Sequence, residues 1–149
     1  MKLCLVVEGY GEVDAGPVLL RRLFAHCGAW GDVLRPIRIA KGKLVQEQEL
    51  ARVIEFAAKR VGPEDAILVL LDGDESCPAE LGTRLLAWAK AARADRRIAV
   101  VVAKTEFEAW LIAGAKALVD AGRLGPRAAD VPVDPEGVSL DSGMSHRLQ

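Results

Sequence analysis

Residues 66–71, Ala-Ile-Leu-Val-Leu-Leu, form a run of six apolar residues that stops abruptly at Asp72-Gly73-Asp74-Glu75. A run this short and this apolar reads as a strand buried on both faces, the habit of strands in parallel sheets. Ligands of such sheets gather outside the carboxyl ends of the strands. Asp72 and Asp74 therefore fall where a binding site is expected. Two carboxylates separated by one glycine can face the same way and offer oxygen ligands to a hard cation such as Mg²⁺. The plainer reading is an acidic turn that caps the following helix.

The rest of the chain repeats this pattern. Leu3 to Val7 reads as the first strand, ended by Glu8-Gly9-Tyr10-Gly11-Glu12. A helix follows, with Pro17 expected in its opening turn, Leu19, Leu20, Leu23, Phe24 and Cys27 inward, and Gly28 as its stop. Val33 to Ala40 reads as a second strand. Arg35, Pro36 and Arg38 interrupt its apolar positions, which suits a sheet edge. It ends at Lys41-Gly42-Lys43. The next helix, about Gln46 to Arg60, should bury Leu50, Val53, Ile54 and Ala57. After the central strand, Pro78 opens a helix carrying Leu81, Leu85, Trp88, Ala89 and Ala92 on one side. Ile98 to Ala103 is a further continuous apolar run, followed by Lys104-Thr105-Glu106-Phe107-Glu108 and a fourth helix with Phe107, Trp110, Leu111, Ala115 and Leu118 inward. Thr105 and Glu108 have the spacing of a capping box.

Four strands alternating with four helices predict an α/β, three-layer Rossmann-like fold, with a mainly parallel four-stranded sheet flanked by helices. The expected strand order is second, first, third, fourth, which sets the first and third strands side by side. We place one domain over residues 1–121. From Gly122 to Gln149, where Gly, Pro, Asp and Ser dominate without a period, we expect an irregular tail.

Composition narrows the function. Of the 149 residues 51% are apolar and 28% charged, and 20 basic against 21 acidic residues leave a net charge of −1. That balance provides no global basic footprint for nucleic acid, so any contact must come from a local patch or through a metal. No apolar stretch reaches the length of a membrane span, and the amino terminus has no leader cleavage pattern. Cys4, Cys27 and Cys77 are odd in number and form no C-x-x-C pair, which predicts a reduced, cytoplasmic setting with Cys4 and Cys27 as small buried hydrophobes. The glycines at 9 and 11 do not continue into G-x-G-x-x-G, because position 14 is Asp14, and no P-loop consensus occurs.

The strand ends together carry the chemistry: Glu8 and Glu12, then Lys41 and Lys43, then Asp72, Asp74 and Glu75, then Lys104, Glu106 and Glu108. Crowded carboxylates repel, and a divalent metal is the usual physical reason to keep them together. Lysines beside them can hold a phosphate as point charges. Each member also has a structural reading: Glu12 as charge at a helix N-terminus, Glu108 as a cap, and the lysines as a solvated loop.

The order of apolar strand, Glu8-Gly-x-x-Glu12, helix, and later apolar strand with Asp72-x-Asp74 resembles a Toprim domain, the metal-binding α/β module of topoisomerases, primases and OLD-family nucleases. The element Lys104-Thr-Glu106-Phe-Glu108-Ala-Trp110 resembles a bacterial branch of small, uncharacterised Toprim-like proteins akin to the OLD nucleases. The likeness spans about residues 3–115. It implies Mg²⁺ or Mn²⁺ held by Glu8, Asp72 and Asp74, with Glu12 as a second-metal ligand and Glu106 as an additional acidic group. Glu8, Asp72 and Asp74 would be catalytic, and Lys41, Lys43 and Lys104 would bind phosphate. The implied function is a metal-dependent phosphodiesterase or nuclease acting on nucleic acid, in defence or DNA maintenance, either as a homodimer or with a partner protein. Two other readings suit the residues: a non-catalytic phosphate- or nucleotide-binding module working through a partner, and a receiver-like domain phosphorylated on Asp72.

Overall fold

The computed structural model describes residues 1–122. Contacts divide the chain into two compact units, Met1–Ala103 and Lys104–Gln149. The first unit contains β1 (Lys2–Val7), α1 (Tyr10–His26), β2 (Asp32–Val33), β3 (Ile37–Arg38), α2 (Glu47–Ala58), β4 (Ala66–Asp72), α3 (Pro78–Ala92) and β5 (Arg97–Ala103). The described part of the second unit contains α4 (Glu108–Asp120).

The sheet runs β2-β1-β4-β5, with β3 also paired to β1. Every one of these pairings is parallel. This is the expected α/β architecture, with the first and central strands adjacent. What the sequence suggests as one second strand is two short pieces on either side of Pro36, each holding two residues of β1. Proline has no N–H to give the ladder and can sit only at an edge or a break.

Alternation along β1 and β4 sorts the core into two layers. Cys4 and Val6 of β1, with Ile67, Val69 and Leu71 of β4, cluster with Leu50, Val53, Ile54 and Ala57 of α2 and with Leu81, Leu85 and Ala89 of α3. These are the inward positions read from the helical periodicity. Leu5 points to the opposite face and packs on α1, where a Cβ at Gly16 would lie 2.7 Å from its Cδ2.

Several local expectations are corrected. The first helix begins at Tyr10, inside the glycine-rich segment read as a turn, so Pro17 is buried within the helix rather than in its opening turn. The inward face shifts with it: Glu12, Gly16 and Pro17 are buried, while Leu23 and Cys27 are exposed. On β5, alternate residues Arg97, Ala99 and Val101 are exposed, because α3 packs against this edge strand on its other face. In the second unit, the capping box does not form. The N-cap of α4 is Phe107, without a side-chain cap, and Thr105 has left-handed backbone at φ 60°. Phe107 and Trp110 pack ring to ring at 5.5 Å. Trp110 and Leu111 are exposed, against the expected inward face. The expected tail from Gly122 lies, beyond that residue, outside the described residues.

No helix among the described residues is long and apolar enough to cross a membrane.

Candidate metal and phosphate site

Strands β1 and β4 run side by side, Val6 opposite Val69, and both give out at the same end of the sheet. Just past that end, Glu8 is 7% exposed and Glu12 2% exposed, the two buried charged residues of the described chain. Burying a carboxylate is costly unless something compensates for it. Glu8 has partial compensation. Its Oε1 accepts a hydrogen bond from the Gly42 N–H at 2.8 Å. Burial still pushes the Glu8 carboxyl above the usual glutamate range, against the pull of that N–H and of Lys41, and Asp74 and Glu12 add to the rise. Glu12 sits in the first turn of α1, where the free N–H groups favour negative charge. Its carboxylate folds back over Gly9, where a side chain would collide with it.

The Lys41-Gly42-Lys43 turn reaches in from the edge. Gly42 has φ 78°, which turns its N–H toward Glu8 at little steric cost. The Gln46 side-chain amide donates to the Gly42 carbonyl at 3.1 Å, and Leu44, fully buried, anchors the segment in the core. Lys41 Nζ lies 2.9 Å from Asp74 Oδ1. The Asp74 carboxylate above all, with Asp72 and Glu8 adding, pushes the Lys41 ammonium above the usual lysine range.

On β4, Asp72 is the last strand residue and is half-buried. Gly73 follows against the end of β5, its N–H donating to the Ala103 carbonyl at 2.8 Å. A Cβ there would come within 2.8 Å of that same oxygen, so the turn admits only glycine. Asp74 then takes left-handed backbone, φ 46°, a conformation Asp tolerates better than most residues.

Glu8, Glu12, Asp72, Asp74 and Lys41 are thus one electrostatic neighbourhood. Lys43 is not part of it in the same way: its Nζ lies 3.8 Å from Glu49 in the first turn of α2. Lys104 and Glu106 belong to the second unit, where the Glu106 carbonyl accepts the Ala109 N–H at 3.3 Å. Cys77 is exposed at the N-cap of α3.

The carboxylates supply only oxygen donors, the set a hard divalent cation takes. A cation is already drawn to them in the form of Lys41. Among the described residues, no three His, Cys, Asp or Glu side chains form a group poised to hold an ion. Asp74 is turned to Lys41, and Glu8 to Gly42.

Two neighbours carry no signal of their own in the sequence. Arg38 of β3 donates from Nη1 to the Glu8 carbonyl at 3.3 Å and lies over the Tyr10 ring, 4.0 Å from its centroid. In sequence, Arg38 is only an interruption of an apolar strand. Its position follows from the break at Pro36, which periodicity does not report.

Residues 7–149 match the domain of unknown function DUF4276, a span covering most of both compact units. The chain belongs to the DUF4276 family. No curated protein and no solved structure matches it. The matched segment of this DUF4276 protein takes in Glu8, the Lys41 turn, Asp72 and Asp74.

Proposed function

We propose that this DUF4276 protein is a divalent-metal-dependent phosphodiesterase of Toprim type that cleaves nucleic acid. The observation that supports it most is the end of two adjacent parallel strands, where Lys41 pairs with Asp74 at 2.9 Å and the Gly42 N–H beside it holds the buried Glu8 carboxylate. In this reading Glu8, Asp72 and Asp74 hold Mg²⁺ or Mn²⁺, with Glu12 beside them. The ion would activate water and offset charge on the phosphate. Lys41, released from Asp74, is the group that meets a phosphate oxygen. Gly42 keeps the Glu8 carboxylate oriented through its N–H, which suits Glu8 to act as general acid/base. Lys43 is a further phosphate contact in the same proposal, and the substrate grip comes from a homodimer or a partner protein.

The Lys41–Asp74 contact also favours a second reading. An Asp74 carboxylate already engaged by Lys41 suits a non-catalytic module that binds a phosphate or nucleotide and works through a partner. Incubation of the purified chain with single- and double-stranded DNA and RNA in Mg²⁺ or Mn²⁺ separates the two. The nuclease reading expects cleavage that EDTA abolishes and that Glu8→Gln lowers by about 100-fold or more, the scale of a lost general acid/base. Cleavage surviving in Glu8→Gln contradicts it. Nucleotide binding without turnover on any substrate leaves the binding module.

A further inference from the structure

The turn that carries Glu8 also carries an aromatic ring with no place in the core. Tyr10 is the first residue of α1, two positions after Glu8, and is 73% exposed. That exposure remains even though the Arg38 guanidinium lies over the ring, 4.0 Å from its centroid. So much exposed ring adds little to folding through burial. The ring nevertheless has a defined partner. It sits on the first turn of a helix, and Arg38 ties it to the site by donating to the Glu8 carbonyl. The cation set against the ring is Arg38 itself, 4.0 Å from its centroid. An aromatic ring paired with an arginine matches a single strand of nucleic acid, whose bases stack while a guanidinium meets its phosphates. A duplex keeps its base faces inside its own stack and cannot offer them.

We propose that Tyr10, backed by Arg38, is a base-stacking subsite that selects single-stranded nucleic acid at the Glu8 centre. The chemistry performed there rests on the phosphodiesterase reading; the binding does not. The test is fluorescence anisotropy with a labelled oligothymidylate, an abasic strand of equal length and a duplex of equal length, each in EDTA and in Ca²⁺. The wild type should bind the oligothymidylate more tightly than the other two. Tyr10→Ala should weaken that binding about 5- to 150-fold, the range for one stacked base, and leave the abasic strand unaffected. Tyr10→Trp should keep the preference and shows that the exposed position tolerates change. Equal losses on intact and abasic strands, tighter duplex binding, or no binding of the intact strand in either condition overturns the subsite. Base-dependent binding that is lost in Tyr10→Ala, in a protein that no metal makes active, upholds the subsite and removes the phosphodiesterase reading instead.

Discussion

Lys41 governs what the acidic residues around it can do without a metal. Its pair with Asp74 is half exposed or more on both sides, 66% and 51%, so solvent screens it. Such pairs contribute about 0–1 kcal/mol. Asp74→Asn should therefore cost no more than about 1 kcal/mol in EDTA, because it also relieves repulsion with Glu8. A larger loss in denaturant unfolding would assign Asp74 to holding the turn rather than to binding. Asp95, far along the chain, gives the matching pH prediction. Hydrogen bonding from Arg93 holds the Asp95 carboxyl at about 2 against an ordinary value of 3.8. A carboxyl depressed in the folded state stabilises that state above the unfolded value and loses the effect as pH falls through the folded one. Asp95→Asn should thus lower the melting temperature at neutral pH, and the gap should close between pH 3.8 and about 2. A gap unchanged across that range contradicts the assignment.

The strand ends decide the site at the scale of elements. Gly73 is pressed against the end of β5, with the Ala103 carbonyl 2.8 Å from any added Cβ. Backbone cannot give way as a flexible side chain does. Gly73→Ala should cost about 1–3 kcal/mol, the range of overpacked sites, and should move Asp74 away from Lys41. A variant as stable as the wild type would mean that the turn is looser than described. The same elements show how far the sequence could be read. The long, strongly patterned ones were legible: Leu50, Val53, Ile54 and Ala57 of α2 and Leu81, Leu85 and Ala89 of α3 are buried as their spacing predicts. Glu8, Asp72 and Asp74 stood out because a continuous apolar strand ends at each group. The start of α1 was hidden because Gly9 and Gly11 look like a turn, whereas the first-turn Glu12 favours a helix there. Cys27, read as a buried hydrophobe, is instead the exposed C-cap of α1. Tyr10 and Arg38 were illegible as a pair, since contact between β3 and α1 depends on the path of an interrupted edge strand.

At the scale of the whole molecule, the order β2-β1-β4-β5 matters most, since it sets the Glu8 strand beside the Asp72 strand. Had the central strand paired elsewhere, the same residues would be separate acidic turns. Their proximity makes the metal reading testable without any knowledge of substrate. A ligand that binds only the folded state stabilises it by RT ln(1 + [L]/Kd), about 2.7 kcal/mol at a hundredfold excess over Kd. The decisive measurement is the melting temperature of wild type, Asp72→Asn and Asp74→Asn in EDTA and in saturating Mg²⁺ or Mn²⁺. The metal site predicts a rise of several degrees in the wild type that is lost in both variants. A wild type whose melting is the same with and without metal, or variants that keep the full rise, contradicts a metal site at Glu8, Asp72 and Asp74.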